Sequence, residues 1–147
     1  MLFAREGAKV LVADRDFASA QDTVDRIAGE GGTAKAAAAA VTDEASLQKM
    51  IAGCIALWGR IDILHNNVGV SLAGGDAVLE EITSEAFDRV MRINLRGMVM
   101  TCKHVLPIMR KQNGGVIISI SSLAVLESYP YVAYKTSKAG VIAMTEQ

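Results

Sequence analysis

Ile61-Asp62-Ile63-Leu64-His65-Asn66-Asn67-Val68-Gly69 reads as a strand, Ile61 to His65, running into two amides and a glycine. A short apolar run closed by such residues is the signature of a strand ending in a loop. The same pattern recurs on both sides. Upstream, Lys9 to Ala13 is a strand closed by Asp14, and Thr33 to Ala38 is a weaker one. Downstream, Val116 to Ile120 ends in Ser121-Ser122. Helical patterns separate them. Met1 to Glu6 reads as a helix end stopped by Gly7, and Phe17 to Gly29 carries Ala20, Val24, Ile27 and Ala28 on an apolar face. Thr42 or Asp43 caps a helix through Leu47 and Ile51 to Trp58, and Ser84 to Lys111 forms a long helix that Pro107 is expected to bend or end early. A last helix carries Tyr134 and Lys138 to the C-terminus.

Strands alternating with helices in this way predict a parallel sheet covered on both faces, a doubly wound α/β fold in one domain, residues 1–147. Ligands of such sheets bind beyond the carboxyl ends of the strands. The polar residues Asp14, Asn66, Asn67, Ser121 and Ser122 gather at those ends.

Composition sets the class. The chain has 147 residues, 51% apolar and 21% charged, with a net charge of -1, a globular balance without a basic stripe. Nucleic acid and acidic membrane surfaces are therefore not expected partners. No run reaches membrane-spanning length and no signal-peptide apolar stretch is visible, so the expected location is cytoplasmic. Cys54 and Cys102 fit no disulfide or metal framework and read as reduced core thiols, while His65 and His104 are too isolated for a metal site.

The chemistry concentrates in Tyr134-Lys135-Thr136-Ser137-Lys138. Residues four apart share one helix face. Moving a phenol pKa from ~10 to ~7 requires about 4 kcal/mol. One ammonium ~4 Å away at an effective dielectric of ~20 supplies roughly that much. The pair can thus move a proton near neutral pH, although Tyr-x-x-x-Lys alone is common by chance. The other polar positions have bland readings beside functional ones. Asp14 is either an acceptor for ribose hydroxyls or a solvated helix cap. Asn94, amid Val90, Met91, Ile93 and Leu95, is either a buried functional amide or an isolated helix asparagine. A nucleophilic serine is rejected at Ser121 or Ser122, since no histidine and acid stand in partner positions and no G-x-S-x-G elbow exists.

Taken in order, the strand-end acid, N-N-V-G, N-L-R-G, S-S and Y-K-T-S-K resemble the short-chain dehydrogenase/reductase family, over essentially the whole chain. The resemblance implies a Rossmann-like fold and hydride transfer between a nicotinamide cofactor and a small-molecule alcohol or ketone. Tyr134 would be the catalytic acid/base, and Lys138 would lower its pKa and bind the nicotinamide ribose. Ser122 would orient the substrate, and Asn94 would hold a water in a proton relay. Asn66, Gly69 and the Val41 backbone would contact the cofactor, and Asp14 would select NAD over NADP. A homodimer or homotetramer is implied, built on the Ser84 to Lys111 and Tyr134 helices.

The chain departs from the family pattern in several places. The T-G-x-x-x-G-x-G phosphate loop and its strand are absent before Met1, and the segments beyond Gln147 are absent too. This suggests a fragment or truncated gene product. In the order 3-2-1-4-5-6 the absent strand is central, so the remaining strands should pair as 3-2 and 4-5 with no ladder between them. Made alone, such a chain is expected to expose edges, to aggregate and neither to bind NAD tightly nor to turn over. A soluble monomer with micromolar NAD affinity would contradict that. Ala40 replaces the usual adenine-contacting aspartate, and Lys135, where a small residue is usual, is expected to face solvent or the cofactor mouth. The gap from serine to Tyr134 is one residue short, which leaves Ser121 and Ser122 both eligible; strand position favours Ser122. An epimerase or dehydratase using the same pair, and an inactive fragment serving as an interaction module, are the competing readings.

Overall fold

The computed structural model describes residues 1–146; Gln147, the last residue of the expected final helix, lies outside the described residues. The chain divides into two compact units, Met1–Gly59 and Arg60–Gln147.

In the first unit, helix α1 (Leu2–Arg5) turns through Gly7 into strand β1 (Lys9–Asp14). Gly7 has φ 87°, left-handed backbone that side chains disfavour. Helix α2 (Phe17–Gly29) is capped by the Asp16 carboxylate, which accepts the Ala18 N–H. Its buried residues Ala20, Val24 and Ile27 share one face, the 3.6-residue stripe expected of a helix packed on a sheet. It packs on β1 and on strand β2 (Thr33–Ala38), which run parallel in register from Lys9 opposite Thr33 to Asp14 opposite Ala38. Helix α3 (Glu44–Trp58) is capped by Asp43, not Thr42, and stops at Gly59 in left-handed conformation. Leu47 and Ile51 bury its inner face.

In the second unit, strand β3 (Ile63–Asn66) pairs in parallel with strand β4 (Val116–Ser119), Ile63 opposite Val116 and Asn66 opposite Ser119. β3 starts later than the pattern predicts: the Gln112 side chain, instead of a ladder, binds both the N–H and the C=O of Ile61. Helix α4 (Ser84–Met91) is capped by Thr83, and a π-helical turn at Arg92–Arg96 joins it to helix α5 (Gly97–Lys111). Pro107 does not end α5. Val105 and Met109 on either side are buried, and that packing carries the helix through the proline. Helix α6 (Val132–Glu146) packs on α4 and on the π turn.

The two strand pairs form separate two-stranded sheets, β1-β2 and β3-β4, as the sequence leads one to expect. Apolar strand residues are correspondingly open: Ile63 is 43% and Val116 56% exposed. No helix among the described residues is long and apolar enough to cross a membrane.

Candidate active site

The site belongs to the second unit. α6 places Tyr134 and Lys138 one turn apart, and both line a cavity of about 460 Å³ whose wall also includes Asn67, Gly69, Ser71 and Ser122. Lys138 is 3% exposed. Its Nζ donates to the Ile120 carbonyl at 2.7 Å, at the end of β4. Burial pushes the Lys138 pKa below its ordinary value. The ammonium stands over the Tyr134 ring, 5.7 Å from its centroid. The Ile120 carbonyl holds the lysine head toward the strand.

Ser121 and Ser122 differ in their hydrogen bonds. Ser121 Oγ donates to the Lys138 backbone carbonyl at 2.8 Å and is committed there. Ser122 lines the cavity; its Oγ accepts the Ala124 N–H at 3.2 Å, which leaves its own proton to donate. Gly69 sits against the lysine: a Cβ on it would lie 3.4 Å from Lys138 Nζ and 3.6 Å from Asn94 Oδ1.

Asn94 lies in the π turn and is 0% exposed. Its Oδ1 accepts the Val70 N–H at 2.8 Å, and its Nδ2 donates to the Val70 C=O at 2.8 Å and to Ser137 Oγ at 3.0 Å. Both amide protons are therefore engaged by protein, so the expected water-holding role does not rest on this side chain's donors. Ser137 passes the connection on by donating to the Tyr134 carbonyl at 2.7 Å. Asn66 is buried, with its amide directed to Ser119 Oγ and Cys102 Sγ. It is Asn67 that reaches the cavity wall, because β3 alternates its side chains and turns Asn66 inward. Burial raises the Cys102 thiol pKa, as expected for a core thiol. Lys135 Nζ, on the exposed side, donates to the Glu127 carbonyl at 2.5 Å and tethers the loop after β4.

Asp14 and Val41 lie in the first unit. Asp14 ends β1, exposed, with Oδ1 accepting the Asp16 N–H at 2.9 Å. Its second oxygen makes no hydrogen bond among the described residues, as an acceptor for diol hydroxyls requires. Val41 is half-buried in the turn between β2 and α3. Within the second unit, a polar cavity lined by Gly69 and a fixed ammonium offers groups that fit a nicotinamide ribose.

One residue of the site escapes sequence reading. Asp76 is 5% exposed, and its carboxylate accepts the Ala133 N–H at 3.0 Å and the Tyr134 N–H at 2.7 Å. It caps α6 from across the unit. The available signal is negative: Tyr129-Pro130-Tyr131 before α6 contains no capping Ser, Thr, Asp or Asn. Tyr129 completes this corner, its hydroxyl 3.2 Å from Ser71 Oγ and its ring tilted against Tyr134.

The chain is 34% identical to the 3-oxoacyl-(acyl-carrier-protein) reductase of Thermotoga maritima over 147 residues, covering 99% of this chain and 58% of that protein. It is 40% identical to 2-(R)-hydroxypropyl-CoM dehydrogenase of Xanthobacter autotrophicus over 107 residues, which is 72% of this chain and 43% of that one. The structure of a 7α-hydroxysteroid dehydrogenase, solved with NADH and 7-oxo glycochenodeoxycholic acid, superposes with a TM-score of 0.88 at 32% identity, covering 96% of this chain and 54% of that one. The chain thus spans about half the length of the relatives it matches. The fold is that of a Rossmann-like α/β protein. The short chain dehydrogenase pattern matches residues 1–147, from end to end, and the chain belongs to the short-chain dehydrogenase family.

Proposed function

We propose that this chain is the nucleotide-binding and catalytic part of an NAD(P)-dependent oxidoreductase that interconverts an alcohol and a carbonyl, with Tyr134 as acid/base. The observation that carries the reading is the convergence of Tyr134, Lys138 and Ser122 on one cavity from α6 and the end of β4. The nicotinamide cofactor, when bound, supplies or accepts the hydride. The protein's own residues do the rest. Ser122 donates to the substrate oxygen and orients it; Tyr134 gives that oxygen a proton in reduction and takes it in oxidation. Lys138 stabilises negative charge that develops on the tyrosine from its fixed place over the ring.

Asp14 makes NAD the expected cofactor over NADP, because an exposed carboxylate at the end of β1 attracts ribose hydroxyls and repels a phosphate. Asn66 takes part through its backbone in this reading, since its side-chain amide is directed to Ser119 and Cys102, and Val41 takes part through its backbone as well. The match across residues 1–147 supports one domain made of both units. A homodimer or homotetramer is supported by the groove along α4 and α5, which Met91, Leu95 and Val99 line together with Asp88, Arg92 and Arg96.

The test uses the full-length protein with NAD or NADP and a panel of secondary alcohols and ketones. Nicotinamide reduction that falls at least a hundredfold in Tyr134→Phe, with the fold unchanged by circular dichroism, is the expected result. Undiminished turnover in that variant would reject the acid/base assignment. Redox-neutral products would point instead to the epimerase or dehydratase reading.

A further inference from the structure

We propose that Asp76 is a positioning residue for the reaction: it sets the backbone from which Tyr134 projects, and so sets where the phenol meets the substrate. The proposal rests on the acid/base reading of Tyr134. It starts from an asymmetry among the helices. α2, α3 and α4 are each capped by the residue immediately before them, Asp16, Asp43 and Thr83. α6 is preceded by Tyr131, which has no short polar side chain to turn back on the helix. Its exposed N–H groups must find acceptors elsewhere or remain unpaired.

They find them 55 and more residues away in sequence. Asp76 Oδ1 accepts from Ala133 and from its own neighbour Ala77, at 3.0 Å each, and Oδ2 accepts from Tyr134 at 2.7 Å. The Ala77 carbonyl accepts the Val132 N–H at 3.1 Å. The first turn of α6 is therefore held wholly by residues 76 and 77. Charge-assisted bonds to backbone N–H groups are the strong kind, and a carboxylate at a helix N-terminus is further favoured by the dipole. The carboxylate is itself fixed, by the tight turn Leu72–Gly74 whose Gly74 carbonyl accepts from Arg89 at 3.2 Å. Gly74 allows that approach, since a Cβ there would lie 2.8 Å from Val70 Cγ2.

The consequence falls on one residue. Tyr134 is gripped at its N–H by Asp76 and at its C=O by Ser137, which is held in turn by Asn94. Displacement of a catalytic group by ~1 Å can cost about a hundredfold in rate. An ordinary helix cap would stabilise α6; this one also specifies the Tyr134 backbone directly.

The test compares Asp76→Asn with Asp76→Asn/Tyr131→Asp in the full-length protein. The second substitution supplies the missing local cap, whose oxygen accepts the same Ala133 and Tyr134 N–H groups. Two readouts are taken: amide exchange at Ala133 and Tyr134, and the split of kcat against cofactor KM. We expect Asp76→Asn to speed exchange at both amides about tenfold and to lower kcat about tenfold with cofactor KM within about twofold. The double variant should recover both. Wild-type exchange rates in Asp76→Asn, an undiminished kcat, or a fall confined to KM would each overturn the proposal. If Asp76→Asn does not fold, the double variant decides alone: near-parental exchange and kcat support the proposal, and continued loss of either overturns it. Failure of the acid/base reading is separately visible as full turnover in Tyr134→Phe, while amide exchange still reports whether Asp76 holds Tyr134.

Discussion

Met1–Gly59 is fastened by neighbours in sequence, and Arg60–Glu146 by residues far apart. In the first unit the side-chain caps reach two residues along the chain, Asp16 to Ala18 and Asp43 to Ala45, and Ser46 reaches six residues back to Ala40. An exposed ion pair, Arg5 to Glu30, reaches further. In the second unit the same kind of bond spans 24 residues from Asn94 to Val70, 51 from Gln112 to Ile61 and 58 from Asp76 to Tyr134. The first arrangement specifies elements; the second specifies where loops and helix ends meet. A site that must hold a phenol, a hydroxyl and an ammonium around one cavity needs the second.

The sharpest way to break this contrast is Asn94→Leu. Val70 N–H, Val70 C=O and Ser137 Oγ would lose their buried partner together. The expected loss is about 3 kcal/mol or more, read as a lower urea midpoint. A change below about 1 kcal/mol would mean that the long-range bonds are incidental. Next in size is Gly32→Ala in the first unit. Its Cβ would stand 2.8 Å from Ile27 Cγ2, 3.1 Å from Ala4 Cβ and 3.2 Å from the Ile27 carbonyl, two of which cannot swing aside. Overpacking of this kind should cost about 1–3 kcal/mol, again by urea unfolding.

Asp43→Ala, removal of a local cap, should cost about 1 kcal/mol and leave the cavity residues' spectra unmoved. Burial depresses the Lys138 pKa from 10.5, so the unfolded chain holds that proton more tightly than the folded one. Stability contributed by this group therefore rises as pH climbs through the folded pKa toward 10.5 and is flat below that window. Lys138→Met should abolish the rise in alkaline urea titrations; an unchanged slope would count against a buried ammonium. Smallest of all, Arg5→Ala should leave the melting temperature unchanged within error, since exposed pairs add little.

The same contrast explains what was legible in the sequence. α2 and β2 have the bounds their patterns predict, Phe17–Gly29 and Thr33–Ala38, because periodicity and local turns determine them. That Tyr134 and Lys138 stand one turn apart on a helix was readable from spacing, and so was the place of Ser122 just past a strand; the structure puts all three at one cavity. Asp76 was not readable, because a cap supplied from a distant loop leaves no mark at the helix it caps. Pro107 misled for a related reason. Its local cost is visible in the sequence, whereas the burial of Val105 and Met109 that offsets it is not. Likewise, the apolar neighbours of Asn94 pointed to its burial but not to the Val70 backbone it binds.

The central claim is that Tyr134 transfers the proton that accompanies hydride transfer. Single-turnover oxidation of bound NADH by a ketone substrate, in the full-length protein, tests it most directly. The account predicts that Tyr134→Phe binds NADH as the parent does but slows that turnover at least a hundredfold. Parental single-turnover rates with Tyr134→Phe would contradict it.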